Sequence, residues 1–301
     1  MISQNTVLVL GAGASIPYGF PSGLDLLARM CEGRPGDWRM HGVLAGCGHD
    51  SSEIERFIGA LAQSGQRSVD RFLGLRPEFA EIGKAAIVCL IGACEQTASL
   101  FAPQGEQGKW YELLFERMQS PAEHWPENRL SIVTLNYDRC YERFMSLALR
   151  NSFGWTLEQA FDAMASMRVV HPHGSLGSLD PRASNYRAFG SLTDLSQVLP
   201  AASDLRVLHE GQKDSPEFAQ ARRLLHEATL VFVLGLAYEQ ATVKRLGLNS
   251  LEPHNRPYGT AYGLERIEHE EAHMRCDGQV SLWDKTFDIR QFLRGGPIAI
   301  R

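Results

Sequence analysis

The stretch TVLVLGAGAS, residues 6–15, constrains this chain more than any other. An unbroken apolar run of valine and leucine enters Gly11 and Gly13 with no alternating polar positions, the pattern of a strand buried on both faces. Such a strand belongs in a mostly parallel sheet sheltered by helices. Glycines at its carboxyl end let backbone approach an oxyanion, and a helix starting just beyond would supply free N–H groups and a favourable dipole. The competing reading is a tight strand-to-helix turn that holds no ligand.

Comparable apolar runs occur at 130–135 and 229–234, with shorter ones at 167–170 and, after Pro253 and Pro257, at 258–262. Amphipathic stretches alternate with them: YDRCYERFMSLAL, EFAQARRLLHEA and residues 264–274. The expected fold is therefore α/β, a Rossmann-like, mostly parallel sheet with helices on both faces. The second strand arrives late. A dinucleotide-binding unit returns to its second strand within about 30 residues, whereas here the next strand pattern begins at residue 130. The interval reads as helices (GLDLLARMCE, SSEIERFIGALAQ, EIGKAAIVCLIGACEQTASLF, KWYELLFERM). The expectation is a single domain over 1–301 with an inserted helical subdomain over 35–125. The Ser-, Gly- and Pro-rich segment 177–191 is expected as a loop over a cleft.

Composition narrows the class. A net charge of −5 gives no general attraction to nucleic acid or anionic lipid, so direct binding to either is not expected. No apolar run reaches the roughly 18 residues of a spanning helix, and the first residues lack the basic segment of a signal peptide. Six cysteines form no CxxC pair, which argues against a zinc ribbon or a disulfide framework. The expected location is cytoplasmic.

The first loop departs from the hydride-transfer fingerprint. Ile16 stands where its third glycine belongs, and no strand ending in an acidic ribose ligand follows about 20 residues later. Asp25 is near that spacing but sits within a helix pattern. There is no GxxxxGK[ST] either, so a P-loop nucleotidase is not expected.

Side chains able to carry chemistry gather at the other strand ends. In TLNYD, Asn136 and Asp138 lie just past an apolar strand, where open α/β sheets contact ligands. Asp138 reads equally as a cap of the following helix. Asn136 reads as a carboxamide that binds a sugar hydroxyl or a water. In VVHPHGS, His171 and His173 would share one side of an extended segment. A metal there would need further ligands that no nearby Cys or acidic cluster supplies, so none is expected. Each histidine has a purely structural reading, and His173, beside Gly174, also has one as a general base titrating near neutrality. VLGLAYEQ repeats the strand–glycine–helix pattern at Gly235.

Taken in order, GAGASIPYGFPSG, TLNYD, HPHGS and VLGLAYEQ resemble the sirtuin-like NAD-cleaving superfamily. SVDRFL and IGKAAIVCLI, with Asp70 and Lys84, resemble further marks of its bacterial members. The resemblance implies that Gly11, Ala12, Gly13 and Ser15 cradle the NAD diphosphate and adjoining ribose, with Ala14, Gly19 and Pro21 in the same loop. It places Asn136 and Asp138 at the nicotinamide ribose, Asn136 positioning the nucleophile and Asp138 near the carboxamide. His173 becomes the general base or a ribose-polarising group, with Gly174 and Ser175 beside it, while Gly235 and Leu236 flank the adenosine side. The chain lacks the four-cysteine zinc module of the protein deacylases, and has Pro21, Ser22 and Gly23 where these carry an acidic–aromatic–Arg triplet. What the resemblance implies is thus NAD hydrolysis to nicotinamide and ADP-ribose, with NAD as substrate and no metal, in an NAD-depleting effector of anti-phage defence. It further implies control by assembly, as a homo-oligomer or with a partner such as a hexameric translocase-type ATPase. The alternatives are a catalytically silent module that senses NAD or ADP-ribose, or a zinc-free deacylase or ADP-ribosyltransferase.

Overall fold

A computed structural model describes residues 1–32, 38–101, 109–190, 194–207, 215–255 and 257–296. Its strands are β1 (Thr6–Leu10), β2 (Leu130–Thr134), β3 (Arg168–Val170), β4 (Leu230–Leu234), β5 (Pro257–Gly259) and β6 (Ser281–Leu282). They form one parallel sheet in the order β3-β2-β1-β4-β5-β6. The fold is Rossmann-like α/β, as the strand pattern predicts. β1 begins and ends where the apolar run does, because every one of its residues is buried.

Alternation along the strands divides the sheet into two faces. Leu8, Leu10, Ile132, Phe232 and Leu234 point into one apolar cluster, and Val7, Val9, Val133, Val231 and Val233 into the other. The first face is covered largely by the segment between β1 and β2. That segment holds α1 (Gly23–Cys31), α2 (Trp38–Gly46), α3 (Ser51–Ala62), α4 (Val69–Leu75), α5 (Ala80–Gly92), α6 (Thr97–Phe101) and α7 (Tyr111–Met118). Fully buried Phe57, Phe72 and Phe79 tie α3, α4 and the start of α5 together, with ring centroids 5.7–6.3 Å apart. Each such ring contributes roughly 1.5–3 kcal/mol by leaving water. α8 (Cys140–Phe153) and α9 (Leu157–Met164) join β2 to β3, and α10 (Leu195–Asp204) and α11 (Pro216–Glu227) lie between β3 and β4. The second face takes α11, α12 (Gln240–Leu246) and α13 (Arg266–Arg275), and α14 (Ile289–Gly295) packs on the first face.

The helical stretch over 81–101 is broken in the structure. α5 ends at Gly92 and α6 starts at Thr97, because Glu95 folds inward to pair with Arg139. β6 escapes the sequence pattern, being only Ser281 and Leu282. Among the described residues no helix is long and apolar enough to cross a membrane.

Candidate active site

From β1 the chain proceeds toward β2, and from β4 toward β5, on opposite sides. β1 and β4 are neighbours, so the crevice outside their carboxyl ends is the topological switch point where open α/β sheets bind ligands. The loops after β1, β2 and β4 meet there, and the one after β3 adjoins them.

The first loop and the β4 loop interlock through their backbones. Gly11 N–H donates to the Leu234 carbonyl at 2.9 Å and Gly13 N–H to the Gly235 carbonyl at 3.0 Å. A Cβ on Gly11 would lie 2.5 Å from the Gly235 carbonyl oxygen, and one on Gly13 would lie 2.8 Å from the Gly235 Cα. The glycines are thus required by contact with the neighbouring loop, and two of the amides that the glycine pattern offers to an oxyanion are engaged by protein carbonyls. No α-helix starts at this loop, contrary to the pattern's implication. Ala12–Ala14 and Ile16–Tyr18 form short 3-10 turns, Gly19 takes a left-handed φ of 91°, and Pro21 is buried ahead of α1. Ser22 and Asp25 then close a capping box on α1, so Asp25 serves the helix. Ile16 is 47% exposed, at a position with no helix–strand contact for a glycine to permit. β4 differs from expectation in the same way, since α12 begins only at Gln240.

The inserted helices brace this loop from beneath. Trp110 Nε1–H donates to the Ala14 carbonyl at 3.0 Å. The Tyr18 hydroxyl accepts from the amides of Trp110 and Tyr111 at 2.8 Å each, and its ring stacks on Tyr111 at 4.2 Å.

Asn136 is held at several points. Its amide donates to Thr134 Oγ1 at 3.2 Å, and its carbonyl lies 3.1 Å from His171 Nδ1. Its side-chain Nδ2 donates to the Gly11 carbonyl at 3.0 Å and to Ser15 Oγ at 3.1 Å. Because a carbonyl only accepts, the amide orientation is fixed and Oδ1 is turned away from Gly11. With its oxygen accepting from Asn136, the Ser15 hydroxyl is left to donate to the Asp138 carboxylate. Asp138 also accepts from Cys140 N–H at 3.0 Å, engaging the first amide of α8, although the N-cap position itself falls on Arg139. Burial raises the Asp138 carboxyl above its ordinary range, against the lowering effect of Ser15 and Cys140.

The two histidines part company. The segment after β3 turns at Pro172 and His173, with Gly174 N–H donating to the His171 carbonyl at 3.0 Å and Gly174 at a φ of 77°. A turn replaces the extended segment that would have put both rings on one side. His171 reaches Glu142 of α8 at 2.7 Å. His173 sits edge-on to Phe218 and Tyr137, with centroids 5.4 and 6.2 Å away, and its Nδ1 is buried without a hydrogen-bond partner. Burial lowers its pKa, which favours the neutral ring. A Cβ on Gly174 would lie 2.0 Å from the Asp204 carbonyl, so this glycine admits α10. Gly174 and Ser175 line a pocket of about 310 Å³ at the β3 edge, together with His171, Asp204, Arg206 and Glu217.

No protein-family model matches the chain, and a search of curated proteins finds no relative. The site is therefore read from its own geometry.

Sequence reasoning left several contributors without a role. Asp70, in the first turn of α4, accepts the Tyr137 hydroxyl and so joins the insertion to the loop carrying Asn136. Arg139 and Glu95 form a buried two-point ion pair at 2.8 and 2.6 Å. Arg139 also donates to the Arg187 carbonyl at 2.6 Å, and Gly190 N–H donates to Glu95 at 2.8 Å. The 177–190 loop is thereby fastened down beside α8. A charged residue directly after TLNYD was the one hint, because arginine at a strand end needs an acidic partner if buried. Among the described residues no group of three or more His, Cys, Asp or Glu is placed to hold a metal ion.

Proposed function

We propose that this chain hydrolyses NAD at the nicotinamide–ribose bond, releasing nicotinamide and ADP-ribose. The observation that carries the reading is the immobilised Asn136 at the end of β2, its Nδ2 held by Gly11 and Ser15 and its Oδ1 turned from that contact. Cleavage of a ribosyl bond passes through an oxocarbenium-like state, and rigid placement of a polar oxygen near that cation is stabilisation without reorganisation. In this reading Asn136 Oδ1 orients a water or a ribose hydroxyl. His173, held neutral by burial, takes the proton as the water oxygen bonds to the ribose carbon and nicotinamide departs with the bonding pair. Asp138, linked through Ser15, adds negative charge beside the developing cation. The shape of the interlocked glycine loops would receive the diphosphate, and Gly235 and Leu236 the adenosine side.

The resemblance to bacterial sirtuin-like proteins extends the proposal to an NAD-depleting cytoplasmic effector of anti-phage defence, restrained until it assembles with itself or with a partner such as a translocase-type ATPase. Nicotinamide release by the purified chain, alone and with infected-cell lysate, tests the chemistry. Asn136→Ala should lower the rate by at least about a hundredfold while the fold persists by circular dichroism. A variant as fast as the parent would overturn the reading. Binding of NAD without release, under both conditions, would instead identify a sensing module.

A further inference from the structure

His171 was assigned no chemical role by its sequence context, yet it touches the main chain of the residue that the proposed reaction needs most. Its Nδ1 lies 3.1 Å from the Asn136 carbonyl and its Nε2 lies 2.7 Å from Glu142 Oε1. A backbone carbonyl and a carboxylate are both acceptors, so each ring nitrogen must carry a hydrogen for both contacts to be bonds. A neutral imidazole has only one. Imidazolium meets both contacts when it faces the Glu142 carboxylate as an ion pair.

We propose that Glu142 and a doubly protonated His171 form a charged brace that fixes the Asn136 carbonyl, and with it the aim of the Asn136 side chain. His171 is on this view a positioning residue; it touches neither water nor substrate in the proposed reaction. On deprotonation one of the two bonds is lost. The charge-assisted bond to Glu142 is the stronger, so the contact to Asn136 is the one released. The strand end then keeps Thr134 but loses its second main-chain anchor.

The surrounding charges favour the protonated form. Burial alone would lower the His171 pKa. Glu142 from α8, the Asn136 carbonyl and Asp138 from the loop after β2 outweigh it and raise the value above 6.5. Across the pocket stand Asp204 and Arg206 at the end of α10 and Glu217 of α11. Arg206 pairs with Glu217 and Asp204 with Arg187, which largely cancels their effect on His171. The brace is accordingly closed at pH 6.5 and below and opens as pH rises through the raised value.

The inference uses the NAD reading only for its kinetic arm. The structural arm is NMR of the full chain labelled on histidine ring nitrogens, with His171→Asn to assign the signal. A ring mostly doubly protonated at pH 6.5, with a titration midpoint above 6.5, is expected, and Glu142→Gln should lower that midpoint. A ring that is neutral at pH 6.5, or a midpoint unmoved by the Gln variant, overturns the brace whether or not the chain cleaves NAD. In the kinetic arm, nicotinamide release should fall on the alkaline side, and Glu142→Gln should shift that fall to lower pH by the same amount. A uniform loss at every pH would mark Glu142 as merely structural and overturn the positioning role. If the parent releases no nicotinamide at all, the NAD reading fails and the NMR titration alone decides the brace.

Discussion

Gly13 and Gly235 meet backbone to backbone, with the Gly13 amide donating to the Gly235 carbonyl at 3.0 Å. Gly235 holds a left-handed φ of 65°, and a Cβ there would come within 2.4 Å of the Ala14 nitrogen. Gly235→Ala must therefore adopt a strained φ and force the two loops apart. A loss of roughly 2–3 kcal/mol in urea unfolding is expected. A change below about 0.5 kcal/mol, the size of an ordinary surface substitution, would show that the loops do not interlock.

The Tyr137 hydroxyl donates to Asp70 across the junction between insertion and sheet. Tyr137→Phe removes a hydrogen bond to a carboxylate, expected to cost about 1.5–3 kcal/mol. The effect should be local. Hydrogen exchange over 68–75 should quicken more than exchange in β4, and equal quickening in both would place the bond outside any junction role.

The Arg139–Glu95 pair is almost free of solvent, with side chains 1% and 0% exposed. Replacing Arg139 by Met strands a buried carboxylate and should destabilise the fold by about 3–5 kcal/mol. Replacing both partners with Met should recover a substantial part of that loss. Proteolysis within 177–190 should be fast in the single variant and slower in the double one.

His173 has its pKa lowered by burial from 6.5. A group depressed in the folded state adds stability that is present above its unfolded value and lost as pH falls through its folded one. The parent should thus lose stability relative to His173→Asn below pH 6.5, and nicotinamide release should have an acid limb with its midpoint below 6.5. Unfolding and rate profiles between pH 4.5 and 7.5 check both, and an acid limb centred above 6.5 would remove His173 as the base.

The architecture was legible where a single physical demand shaped the sequence. Full burial of β1 leaves an uninterrupted apolar run, and the strand lies where that run does. The late return to Leu130 likewise matches the run of helices that separates β1 from β2. The site was legible as a set of strand ends but not as a set of bonds. Asp70, Glu95 and Glu142 lie far along the chain from Tyr137, Arg139 and His171, and nothing local marks an acidic side chain as the partner of a distant donor. The glycines misled in a more instructive way. Gly11 and Gly13 announced close approach, which is correct, but what approaches is the backbone of Gly235. The helix expected after them is absent because the loop turns instead under the hold of Trp110 and Tyr18.

The position of β1 also governs when a chain emerging from the ribosome can complete its candidate site. Thr6 is synthesised well before its neighbours in the sheet, since it aligns with Leu130 on one side and Leu230 on the other. Closing such distant pairings is slow and entropically costly. The crevice has no walls until β4 has been synthesised. A nascent chain that stops short of β4 carries Asn136 and His173 but lacks Leu234 and Gly235, to which the first loop is bonded, so the order of translation itself leaves unfinished molecules without a crevice.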